Sequence, residues 1–163
     1  LEVRKVRSSK AAISVYKAVY FSLAVWWGYK ILIDQYYMPK LLGGSGDFMK
    51  VMTEFPYAIH ADWLKEYLLV TMGYHVAGLM NHFIHPRRRD FMEMALHHIV
   101  TIYLLGGQYL FNVWEIGAVI SLLHDISGPT TYLLKSLSET NVKKIMPIMV
   151  IANMILWFQT RLL

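Results

Sequence analysis

The sequence predicts an all-α membrane protein, and three observations carry that reading. Of its 163 residues, 56% are hydrophobic and 14% aromatic, and they gather in runs of about 20 residues, the length at which a helix crosses a bilayer. Lys and Arg concentrate in the short gaps between those runs. The net charge of +5 therefore reads as membrane topology and argues against a nucleic-acid face. The chain has no Cys, which excludes disulfides, thiolate metal ligands and a Cys nucleophile.

Taken in order, residues 1–10 are a basic cytosolic lead-in with Arg4, Lys5, Arg7 and Lys10. One helical domain over 11–163 follows. Its first span is Ala11 to Ile33, with Trp26, Trp27 and Tyr29 near one end, where aromatic rings prefer the membrane interface. Lys17 and Lys30 sit inside that run and read as snorkelling side chains. Asp34 to Asp62 reads as a loop, because Pro39, Gly43-Gly44-Ser45-Gly46 and Pro56 are turn formers. The second span runs from Trp63 to Ile84 and the basic turn at Arg87-Arg88-Arg89 closes it. Phe91 to Leu105 is the third span, and Gly106-Gly107-Gln108 an uncharged turn. The fourth, Phe111 to Leu134, carries Glu115, His124, Asp125 and the breaker pair Gly128-Pro129. Lys135, Lys143 and Lys144 mark the next turn before a fifth span from Ile145 to Leu163. Basic residues alternate with each crossing, so the lead-in, the Arg87 turn and the Lys143 turn are expected in the cytosol and the Gly43 loop on the other side.

Ionisable side chains at membrane depth cost free energy unless they face a bundle interior, which makes them functional candidates. A rise of 1.5 Å per residue puts His98 roughly 10 Å, His75 roughly 14 Å and His124 roughly 17 Å from the cytosolic ends of their helices. Glu93, His97 and Thr101 share one face, as do Asp90, Met94 and His98. His124 and Asp125 are neighbours pointing about 100° apart, so Asp125 is placed to orient an imidazole from another helix. His75 or His82 alone reads as a packing residue hydrogen-bonded across the bundle. His97, His98, His124 and Asp125 together read as a site. Arg87, Arg88 and Arg89 are accounted for by topology, and the same charges suit phosphates at a cytosolic mouth.

The run Arg87-Arg88-Arg89-Asp90-Phe91-Met92-Glu93-Met94, then His97-His98, Thr101, Tyr109, Asn112, Gly117, His124-Asp125 and Lys135 resembles the Lag1 motif of the TRAM/Lag1/CLN8 (TLC) domain family, in particular its ceramide synthases. The resemblance covers Ser9 to Arg161. It implies a bundle or barrel of transmembrane helices around a narrow lipid cavity, with five spans visible and a sixth expected beyond Leu163. A chain opening at Leu1 and stopping inside an apolar run is expected to be part of a longer polypeptide. The implied activity is acyl transfer from acyl-CoA to the amine of a sphingoid base, in the endoplasmic reticulum. His97, His98, His124 and Asp125 take the catalytic roles. Glu93, Thr101, Tyr109, Asn112, Arg87, Arg88 and Arg89 are the expected substrate contacts.

Three departures stand out. The family's HDxxD reads His124-Asp125-Ile126-Ser127-Gly128, so the second Asp is missing; Glu115 stands where Arg is usual; and Pro129 breaks the helix. If the missing carboxylate matters, Gly128→Asp should raise activity. Independently of the family, imidazole suits aminolysis of a thioester, either as the base for the amine proton or as an acyl carrier. No cofactor or metal is expected, acyl-CoA being a substrate. The expected partners are membrane lipid and the two substrates, with a homodimer or larger membrane complex as the assembly. Two competing classes are a non-catalytic TLC protein that binds lipid or serves as a structural subunit, and a haem protein with histidine axial ligands.

Overall fold

Why the chain turns where it does is clearest at its helix ends. The computed structural model describes residues 2–57, 59–84, 91–140 and 145–162, and the regular elements in them are all helical. They are the α-helices α1 (Glu2–Leu32), α2 (Phe48–Glu54), α3 (Leu64–Ile84), α4 (Phe91–Leu110), α5 (Trp114–Ile126), α6 (Gly128–Ser138) and α7 (Met146–Leu162), with one short 3-10 turn, Lys40–Leu42, between α1 and α2. The Arg87, Arg88, Arg89 run and the Lys143-Lys144 turn lie outside the described residues.

Four boundaries differ from the sequence expectation. Helix α1 begins at Glu2 and takes in the basic lead-in, since Lys and Arg are good helix formers. The Asp34–Asp62 segment holds a short helix, α2, whose first turn is capped by the Asp47 carboxylate accepting from the Lys50 N–H at 3.2 Å. Helix α4 runs straight through Gly106-Gly107-Gln108 to Leu110; glycine inside a helix costs only about 1 kcal/mol. The chain turns instead at Asn112, which adopts the left-handed conformation (φ 57°) that Asn tolerates better than most residues. The fourth span is two helices, α5 and α6, broken at Ser127. Pro129 falls in the first turn of α6, where its missing N–H has no helical partner to lose.

The expected five bilayer-length spans are not met by helix length and polarity. Among the described residues, no helix is long and apolar enough to cross a membrane. The causes are local: α1 carries Lys17 and Lys30, α4 carries Glu93, His97, His98 and Gln108, and the α5–α6 segment is broken.

The chain forms two compact units, Lys30–Ile120 and the pair Leu1–Tyr29 with Ser121–Leu163. In the first, α3 packs on α4. Leu64, Tyr67, Leu68, Thr71 and His75 are the buried face of α3, and Ala95, His98 and Leu105 that of α4. Both sets follow the helical repeat of three and four residues. The segment before α3 is tied down by Tyr36, whose hydroxyl donates to Glu54 Oε2 at 2.7 Å. In the second unit α6 packs on α7, and Asn153 Oδ1 accepts from Thr130 Oγ1 at 2.6 Å and Thr131 Oγ1 at 3.1 Å.

Candidate active site

The histidines of α3 and α4 meet. His98, on the buried face of α4, lies with its Nδ1 3.2 Å from Nδ1 of His75 on α3. The His97 ring stands edge-on to His75 with centroids 5.9 Å apart, and the His97 and His98 rings are 5.5 Å apart. His75 and His98 are 8% and 9% exposed, whereas His97 is exposed on another face of α4, as are Glu93 and, in part, Thr101. The packing expectation for His75 holds in kind, because it does hydrogen-bond across the helix pair. Its partner is one of the candidate catalytic residues, which the sequence did not show.

Among the described residues, no group of three or more His, Cys, Asp or Glu side chains has the arrangement to hold a metal ion.

A second polar cluster lies at the other end of α4. His60, in the segment before α3, sends Nδ1 to Glu115 Oε1 at 2.6 Å and Nε2 to Asn112 Oδ1 at 2.8 Å. Asn112 Nδ2 donates to the Pro56 carbonyl at 2.6 Å, which turns its amide oxygen toward His60. Both ring nitrogens therefore face oxygen atoms of neighbouring side chains. The His60 ring stacks on Trp114 at 4.2 Å, and Trp114 stacks on Tyr109 at 5.1 Å. The Glu115 side chain is 2% accessible, and its Oε2 has no hydrogen-bond partner among the described residues. Burial first, and then the Glu115 charge, push the Tyr37 hydroxyl above the usual tyrosine range. Tyr109 and Asn112, expected at the substrate, are both engaged here, and Tyr109 is eleven residues beyond His98 on α4, roughly 16 Å along the axis. Sequence reasoning missed His60 altogether. The one signal for it was Glu115, an acid in an apolar run that needed a partner.

In the other unit, His124 is exposed and Asp125 is buried at 6% exposure, both in the last turn of α5. Gly128, where a second Asp was expected, is packed against Phe21 of α1: a Cβ there would lie 2.7 Å from Phe21 Cγ and 2.9 Å from Cδ1. Phe21 in turn stacks on Tyr132 at 5.3 Å. The space for a carboxylate is filled by an aromatic ring. The expectation that Gly128→Asp raises activity is accordingly revised. The substitution is expected to lower stability by about 1–3 kcal/mol, the usual cost of overpacking, and thermal melting of the purified variant checks it. Combining it with Phe21→Ala should recover part of the loss; a Gly128→Asp protein as stable as the parent would contradict this packing.

These features define a class: in its described residues, an all-helical protein that buries His75, His98, Glu115 and Asp125. The chain belongs to the TLC domain family, whose TRAM, LAG1 and CLN8 model matches residues 10–163. Sphingosine N-acyltransferase lac1 of Schizosaccharomyces pombe is 28% identical over 138 residues, covering 83% of this chain and 34% of that protein. Ceramide synthase 5 of Homo sapiens is 28% identical over 98 residues, 60% of this chain and 24% of its own length. Ceramide synthase 4 of Mus musculus is 32% identical over 95 residues, 58% of this chain and 24% of its own. The chain thus spans about a quarter to a third of the length of these relatives. No solved structure matches it significantly.

Proposed function

We propose that this chain is the TLC part of a sphingoid base N-acyltransferase of the ceramide synthase kind. The observation that carries the reading is the histidine group of α3 and α4, with His97 exposed beside a buried His98. In the reaction the amine lone pair attacks the thioester carbonyl, the C–S bond breaks, coenzyme A leaves as its thiol, and one amine proton passes to a base. Imidazole is suited to that base near neutral pH, and equally to holding the acyl group between two steps. One of His97 and His98 takes this role, and the exposure of His97 favours it. His124 acts as partner and Asp125 as the group that fixes a tautomer. Glu93 and Thr101, sharing the His97 face, are the proposed substrate contacts, and Arg87, Arg88 and Arg89 suit phosphates.

A multi-pass membrane setting, with the endoplasmic reticulum as the expected compartment, belongs to the same proposal. Its support is the exposed apolar side chains: Leu23, Trp26, Leu96, Leu110 and Ile148 are each more than half exposed, which suits a lipid surround. Polar groups inside a helix bundle lower mean hydropathy without exposing charge to lipid.

Membranes containing the full-length chain, given labelled acyl-CoA and a long-chain base, should form ceramide. A second reading, a non-catalytic TLC protein that binds lipid or serves a larger complex, is favoured by one observation, the Phe21 ring in place of a second carboxylate. Absence of ceramide above background across several acyl lengths, with the protein folded and inserted, would select it.

A further inference from the structure

We propose that His75 is a positioning residue for the α4 histidines, sharing a single hydrogen between its Nδ1 and that of His98 so that the two rings are locked as complementary tautomers. The geometry stands by itself, while the catalytic consequence rests on the acyl-transfer reading.

A neutral imidazole has one N–H and one lone pair, on different nitrogens. At 3.2 Å the two Nδ1 atoms are at hydrogen-bond distance. Two Nε2–H tautomers would point lone pair at lone pair, and two Nδ1–H tautomers would point hydrogen at hydrogen. Only the mixed pair makes the bond, so one ring is protonated at Nδ1 and the other at Nε2. For the same reason the pair carries at most one positive charge, since two imidazolium rings would leave two donors facing each other without an acceptor.

The ring positions are fixed as well. Gly78, less than one turn beyond His75 on α3, lies under the His98 ring: a Cβ there would come 2.8 Å from Cε1 and 3.2 Å from Nε2. Helix α3 therefore holds His98 from two sides, by a hydrogen bond at His75 and by the missing side chain at Gly78. On the far side of His75, Tyr74 packs edge-on at 5.5 Å. His75 also meets the His97 ring edge-on, so both α4 imidazoles rest on it. Buried behind them, it acts through them and not on substrate. A base or acyl carrier works from one nitrogen only, so a neighbour whose tautomer is tied to that of one ring, and which seats both, bears on how much of the protein is competent.

Asn, Gln and Phe separate a hydrogen bond from mere bulk. In His75→Asn the side-chain amide reaches about where Nδ1 sits and can still bond to His98. In His75→Gln the amide reaches to the Nε2 position and overshoots, and His75→Phe keeps the ring volume with no nitrogen. In full-length protein, His75→Asn should retain most acyl-transfer activity, whereas His75→Gln and His75→Phe should lose ~10-fold or more in kcat, less than the ~10²–10⁴-fold that loss of the acid–base group itself costs, with KM for acyl-CoA unchanged. The second arm needs no activity: ¹⁵N imidazole shifts of the detergent-solubilised protein should show His75 and His98 as opposite tautomers, with His98 becoming a mixture in His75→Phe. The same tautomer on both rings in the parent protein overturns the proposal, whether or not ceramide is made. So does a His75→Phe enzyme as active as the parent. Opposite tautomers in a protein that forms no ceramide would leave the positioning intact and remove the acyl-transfer reading. Should His75→Phe not fold, the Asn–Gln comparison and the parent spectrum decide.

Discussion

Ceramide formation by membranes carrying His97→Ala is expected to fall by ~10²–10⁴-fold, the range over which a positioned acid–base group contributes, while the melting temperature of the purified variant stays close to that of the parent. The basis is placement: His97 is exposed on α4, unlike the buried His98, so truncating it is expected to disturb packing less. His98→Ala is expected to lose comparable activity and to melt lower as well. His98 is buried against α3, and its removal leaves Nδ1 of His75 without this partner, a cost of about 1–3 kcal/mol for a buried polar group. The structure thus separates two adjacent histidines that the sequence presents alike. Full transfer activity in a folded His97→Ala protein would remove His97 from the reaction.

That difference shows what a sequence can and cannot disclose. The limits of α3 and α7 were legible because charged turns stand beside long apolar runs, and two adjacent histidines in such a run are conspicuous. Helix α2 was hidden among turn formers, and the glycines of α4 suggested a stop because a propensity near 1 kcal/mol is weak beside the packing of a whole helix. The site was half legible. His75, His98 and His124 could be placed at a similar depth, but which nitrogen of His75 faces which of His98 depends on helix rotation and on Gly78 leaving room for a ring. The Gly128 departure was visible as a missing acid and explained only by Phe21, a residue from the far end of the chain. Glu115 was visible as an odd replacement, and its counterpart His60 sits in a segment that carried no periodic signal.

Removing His60 is expected to cost the fold heavily. His60→Ala leaves the Glu115 carboxylate, 2% accessible and otherwise bonded through Oε1 at 2.6 Å, as a buried charge without its ion-pair partner, for which losses of about 3–5 kcal/mol are usual. It also frees Asn112 Oδ1 and takes away the ring on which Trp114 stacks. Glu115→Arg, the residue the family resemblance would put here, is expected to be worse, since it buries a guanidinium where His60 Nδ1 now meets a carboxylate oxygen. Glu115→Gln should be milder, about 1–2 kcal/mol, because an amide oxygen still accepts from Nδ1. Replacing both partners with apolar residues, His60→Phe with Glu115→Leu, should recover much of the loss, as an uncharged pair leaves no buried charge behind. Denaturant or thermal melts of the four proteins read out the order. An independent probe is Tyr37, whose hydroxyl is held up first by burial and then by the Glu115 charge. In Glu115→Gln its ionisation should move down toward the ordinary value yet stay above it, because burial, the larger cause, remains. A His60→Ala protein that melts with the parent, or a Tyr37 titration indifferent to Glu115→Gln, would show that this cluster does not hold the segment before α3 in place.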